Sequence, residues 1–85
     1  MKELIKLKEE IVRRVKNFSG NDIEVCGITK TTYLIIRIKS DVITKRDVDA
    51  IVSAVKEFGN YKLDFWRVRE GIMELEFVKS EEYEG

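Results

Sequence analysis

Apolar residues recur along this chain in two alternating rhythms. Leu4, Leu7, Ile11, Val15 and Phe18 are spaced by three and four, the period of one helical face, and Ile5 and Val12 widen the stripe. The spacing predicts a helix over 2–18. Ser19, Gly20, Asn21 and Asp22 would end it, because glycine and asparagine tolerate the left-handed conformation of a helix C-terminus. The period then falls to two. Ile23 and Val25 alternate with Glu24 and Cys26, and the β-branched run Thr32–Lys39 follows. These segments predict a hairpin of strands 23–28 and 32–39, joined through Thr29, Lys30 and Thr31.

The same order then repeats. Thr44, with Asp47 three residues on, is an acidic variant of the capping box, and Val48, Ile51, Val55 and Phe58 make the apolar face of a helix over 45–58. Gly59 and Asn60 would stop it. Strands 61–68 and 72–79 form a second hairpin, with Gly71 able to supply a positive φ in the turn. Ile11, Val12, Val15, Lys16 and Phe18 match Ile51, Val52, Val55, Lys56 and Phe58. Gly20-Asn21 sits over Gly59-Asn60 once Ser19 is skipped, and Ile38-Lys39-Ser40 over Val78-Lys79-Ser80. This argues for an internal duplication within a single domain, 1–85, with pseudo-repeats 1–40 and 41–80 and an acidic tail, 80–85.

Two such units predict an α+β fold: one four-stranded antiparallel sheet with both helices on one face. Strand orders 1-2-4-3 and 2-1-3-4 both respect a pseudo-twofold axis. The second strand of each unit is the longer and more apolar, which favours 1-2-4-3, a circular permutation of the ferredoxin-like fold.

Strict alternation assigns each strand residue to a face. Ile23, Val25, Leu34, Ile36, Ile38, Leu63, Phe65, Met73, Leu75 and Phe77 would meet the helices. The outward set would then hold eight apolar side chains, Cys26, Ile28, Tyr33, Ile35, Trp66, Val68, Ile72 and Val78. An uncovered sheet face is ordinarily polar, and an apolar patch of that extent marks an interface. Face-to-face homodimerisation is the expected use. The alternative is single-stranded nucleic acid stacked on Tyr33 and Trp66, with Arg37, Lys39, Lys62, Arg67 and Arg69 near its backbone.

Composition narrows the choice. The 85 residues carry 16 Lys plus Arg and 16 Asp plus Glu, a net charge of zero, so no overall basic excess favours nucleic acid. The 38 % charged content, rich in Lys and Glu, is the bias of hyperthermophile proteomes and suggests a thermophilic archaeon, or one of its viruses or plasmids, as source. With no histidine, an imidazole base or ligand is excluded. Cys26, the single cysteine, reads as a packed structural thiol rather than a nucleophile, and it excludes an intrachain disulfide. Asp22 and Asp64 read as turn and strand-edge residues rather than Mg²⁺ ligands. The glycines are too scattered for a phosphate loop. Neither a cofactor nor catalysis is expected, an active site shared between subunits being the remaining enzymatic alternative. No apolar run reaches membrane-spanning length, and the acidic residues of the N-terminus are unlike a signal peptide, so a cytoplasmic location is expected.

Overall fold

The computed structural model describes residues 2–15, 17–28 and 33–79. The chain forms helix α1 (Lys2–Arg14), a 3-10 turn (Gly20–Asp22), β1 (Ile23–Ile28), β2 (Tyr33–Lys39), α2 (Lys45–Gly59), β3 (Tyr61–Arg69) and β4 (Ile72–Lys79). The strands make one antiparallel sheet in the order β1-β2-β4-β3. This is the α+β fold expected, with the preferred strand order. Helix α1 packs on β1, α2 packs on β3, and the helices touch each other, so both cover one face of the sheet. The β1–β2 connection and the tail 80–85 lie outside the described residues.

The core is the helical stripe laid on the inward strand residues. Leu7, Ile11, Ile51 and Val55 close over Leu34, Ile36, Ile38, Leu75 and Phe77, all buried. Arg14 joins the helices at the surface, donating to Glu10 Oε2 at 2.6 Å and to Glu57 Oε1 at 2.6 Å. Asp47 is only 5 % exposed; it accepts from Thr44 N at 3.0 Å and from Asn17 Nδ2 at 2.8 Å. The capping box of α2 thereby also ties down the chain leaving α1.

Three local features differ from the sequence reading. Helix α1 ends at Arg14, four residues short of the expected 18. Phe18 still reaches the core, but from non-helical backbone. Gly20-Asn21 does not stop the helix; it builds the 3-10 turn, in which Ser19 N donates to Asp22 Oδ2 at 3.1 Å. Gly59-Asn60 does stop its helix: Asn60 takes φ 62° and donates its N–H to Lys56 O at 2.9 Å. The two Gly-Asn pairs that align in sequence therefore have different conformations.

The third difference decides the surface. In β3, Leu63 lies opposite Phe77, but Phe65 lies opposite Glu76, the next residue on β4. Asp64 is thus the extra residue of a β-bulge, and the alternation of faces slips by one. Phe65, expected in the core, turns to the helix-free face and is 45 % exposed. Trp66 and Val68, expected on that face, lie opposite Leu75 and Met73 on the helix side. They remain 55 % and 52 % exposed because the end of this edge strand runs past its helical cover.

Candidate functional site: the helix-free face of the sheet

Antiparallel partners share a face, so the register orders the open surface into four rows, each read from β1 through β2 and β4 to β3. The first is Ile28, Tyr33, Val78 and Lys62. Next come Cys26, Ile35, Glu76 and Phe65. The third is Glu24, Arg37, Glu74 and Arg67. In the last, Lys39, Ile72 and Arg69 are joined at the β1 side by Asp22, which pairs with Lys39 at 3.6 Å.

The two halves of this face differ in chemistry. At the end near the β1–β2 connection it is mainly apolar, with Lys62 and Glu76 as its charged members. Tyr33 is exposed, Ile35, Cys26 and Val78 are half-buried, and Phe65 extends the cluster to the β3 edge. Of the eight side chains assigned to the interface, Cys26, Tyr33, Ile35, Ile72 and Val78 are on the face as expected, and Ile28 occupies its register position opposite Tyr33. Trp66 and Val68 are not there; Phe65 is the apolar residue the strict alternation missed. With Ile43, Val48, Leu63, Met73 and Leu75, Trp66 instead lines a groove of about 360 Å³ beneath the N-terminal turn of α2.

At the other end the face is a ladder of alternating charge. Arg37 Nε donates to Glu74 Oε2 at 2.7 Å, and Arg67 Nε to Glu74 Oε1 at 2.9 Å. Arg37 Nη1 reaches Glu24 Oε1 at 3.5 Å and Cys26 Sγ at 3.8 Å. The hydrogen bond from Arg37, then that from Arg67, holds the Glu74 carboxyl below its usual range, and Glu74 in turn raises Arg37. Asp22 is lowered too, first by the Ser19 backbone N–H and then by Lys39. Glu76 has no ion pair among the described residues and sits between Ile35 and Phe65. Arg67 also stands over the Phe65 ring, 5.8 Å from its centroid.

The cations considered for nucleic acid are therefore on the face, but largely engaged. Arg37, Arg67 and Lys39 each have a carboxylate partner, and Lys62 and Arg69 lie at the β3 edge. Tyr33 and Trp66, the expected stacking pair, are on opposite faces of the sheet. Asp22 and Asp64 are on the two opposite edge strands' borders and do not converge. Among the described residues, no group of three or more His, Cys, Asp or Glu could hold a metal ion, and no helix is long and apolar enough to cross a membrane. Comparison with protein-family models, with curated proteins and with solved structures gives no match to this chain.

Proposed function

We propose that this chain is a small association module that forms a homodimer by stacking the helix-free face of its sheet on a second copy. One observation carries the reading: the apolar cluster Cys26, Tyr33, Ile35, Phe65 and Val78 lies on the face that no helix covers. Fully burying one large apolar side chain is worth about 1.5–3 kcal/mol, so several together supply a substantial drive. Four strands at about 4.8 Å spacing and about seven residues at about 3.3 Å rise give a footprint of roughly 19 by 23 Å. That is roughly 440 Å² before side-chain relief, within a factor of about two of the ~800 Å² that each partner contributes to a standard interface.

The charged rows weigh against nucleic acid as the occupant. A guanidinium already bonded to a carboxylate must give up that bond to take a phosphate. The cations that could neutralise a backbone thus arrive with their own counter-charges, and the usual gain from counterion release shrinks.

Light scattering coupled to size-exclusion chromatography tests the proposal. The wild type is expected at about twice the 10.0 kDa chain mass. Ile35→Glu and Phe65→Glu should give monomers, because each replaces a large apolar side chain of the cluster with a second carboxylate beside Glu76. Trp66→Glu, on the other side of the sheet, and Arg13→Glu, on the outer surface of α1, should leave the mass unchanged. A wild type that stays monomeric at high micromolar concentration would overturn the reading.

A further inference from the structure

The charged rows of the open face are polar from edge to edge. Their β1 side is acidic, with Asp22 and Glu24; their β3 side is basic, with Arg67 and Arg69. Between them Arg37 and Glu74 continue the alternation, so the third row reads acid, base, acid, base. Read backwards, the same row is base, acid, base, acid. A row of this kind is the complement of its own reverse.

From this we infer that the two copies stack about a twofold axis running parallel to the strands, and that the pair Glu24 and Arg67 selects that orientation. The inference rests on the homodimer proposed above. Such an axis keeps each row over itself and reverses its order. Glu24 then faces the partner's Arg67, Arg37 faces the partner's Glu74, and Asp22 faces the partner's Arg69. At the apolar end Tyr33 falls on the partner's Val78 and Cys26 on the partner's Phe65, while Ile35 falls on the partner's Glu76. An axis lying across the strands would instead reverse the order of the rows, setting the charged rows on the partner's apolar rows, with Glu74 over the partner's Glu76 and Arg69 over the partner's Lys62. Stacked sheets lie about 10 Å apart with strands within about 30° of each other, a gap that an arginine and a glutamate reaching from opposite sides can close. Like-charge juxtaposition across an interface suppresses wrong arrangements, and opposite charges fix the register.

A charge exchange tests this. Glu24 and Arg67 side chains are 64 % and 45 % exposed, so both tolerate replacement in the folded chain. Glu24→Arg sets arginine over the partner's Arg67 twice in each homodimer, and Arg67→Glu sets glutamate over the partner's Glu24 twice. Each single variant should dimerise at least about tenfold more weakly than wild type at low salt. An equimolar mixture of the two should form heterodimers in preference to either homodimer, because both cross-contacts are then attractive. The double variant, Glu24→Arg with Arg67→Glu, should recover an affinity within about threefold of wild type. That recovery separates the two origins of any effect: the double variant loses both intrachain pairs, Glu24–Arg37 and Arg67–Glu74, so a purely intrachain effect would add rather than cancel. Circular dichroism and sedimentation equilibrium on the same samples report folding and mass. A wild-type dimer broken by Ile35→Glu but indifferent to the charge exchange would overturn this orientation and leave the homodimer standing. A monomeric wild type would overturn both.

Discussion

Deleting one residue from the middle of a β-strand ordinarily turns every side chain on one side of the deletion to the wrong face. Asp64 should be an exception. It is the extra residue between Leu63, opposite Phe77, and Phe65, opposite Glu76. Without it, Leu63 and Phe65 become neighbours and alternate normally. Tyr61 and Leu63 keep the core side, Phe65 and Arg67 the open side, and Trp66 and Val68 the helix side. No cross-strand partner changes.

The magnitude follows from what a slip would move. In an unbulged strand, the deletion would turn Tyr61, which is 3 % exposed, and the partly buried Leu63 out of the core. At about 1.5–3 kcal/mol for each large apolar side chain, that loss is about 3–6 kcal/mol. A domain of this length has roughly 4–13 kcal/mol in total. A slip would therefore leave little folded protein, whereas removing a bulge residue should change stability by about 1 kcal/mol or less. Urea unfolding followed by circular dichroism and by the fluorescence of Trp66, the single tryptophan, measures the difference. Deletion of Glu76 from the unbulged β4 serves as the control. It shifts Leu75 against Phe77, both fully buried, and should abolish cooperative unfolding. If deleting Asp64 costs more than about 3 kcal/mol, the assignment of the bulge to that residue is wrong.

Three further outcomes can be checked on the same instruments. Ile11→Ala and Ile51→Ala, which the proposed duplication equates and which are both 0 % exposed, should each lose about 2–5 kcal/mol; less than about 0.5 kcal/mol at either would place it outside the core. Glu70 and Gly71 turn the second hairpin with φ 54° and 78°, the two positive values of a type I′ turn, so Glu70→Asn should stabilise by about 0.5–1 kcal/mol, and a decrease in the urea midpoint would contradict that turn. The arginines hold the folded-state pKa of Glu74 below its ordinary value of 4.5. The stability this adds is therefore present above the ordinary value and lost as pH falls through the lowered one. Urea midpoints between neutral and acid pH should fall less steeply for Glu74→Gln than for the wild type, and identical slopes would mean that Glu74 is not so paired.

Most of the fold was legible because both rhythms are carried by residues that end up buried. Leu4, Leu7 and Ile11 define α1, and the Thr44–Asp47 capping box marks the start of α2. The strand boundaries follow the β-branched runs to within one residue. The end of α1 was less legible because Phe18 continues the helical spacing while reaching the core from a non-helical segment. The bulge did leave a trace. Tyr61 and Leu63 are apolar at odd positions, Trp66 and Val68 at even ones, and Arg67 and Arg69 put charge where the first phase requires apolar residues. A strand that changes phase needs one residue more than its partner, and the adjacent aromatics Phe65 and Trp66 mark where the phases meet. Strict alternation passed over that conflict and exchanged the faces of three large side chains.

The ion pairs of the open face were not legible at all, and they alter its meaning most. Glu24, Arg37, Glu74 and Arg67 are scattered over more than half the sequence. They fall into one row only because β4 inserts between β2 and β3 and the β3 bulge moves Arg67 opposite Glu74. Without the bulge, the same residues alternating strictly from Tyr61 onward, Asp64 included, would set Trp66 and Val68 on this face and turn Arg67 and Arg69 away from it. The bulge thus exchanges Trp66 and Val68 for Phe65, Arg67 and Arg69 on this face and completes an alternating ladder beside the apolar cluster. The ladder satisfies its own charges across the sheet, so it offers little to an anionic polymer. In the proposed dimer its reversed copy would meet the row Glu24, Arg37, Glu74 and Arg67 with opposite charge at each position. On the proposed reading the surface is better matched to a second copy of itself than to a strand of phosphates, and the exchange of Glu24 with Arg67 is where that match would be broken and restored.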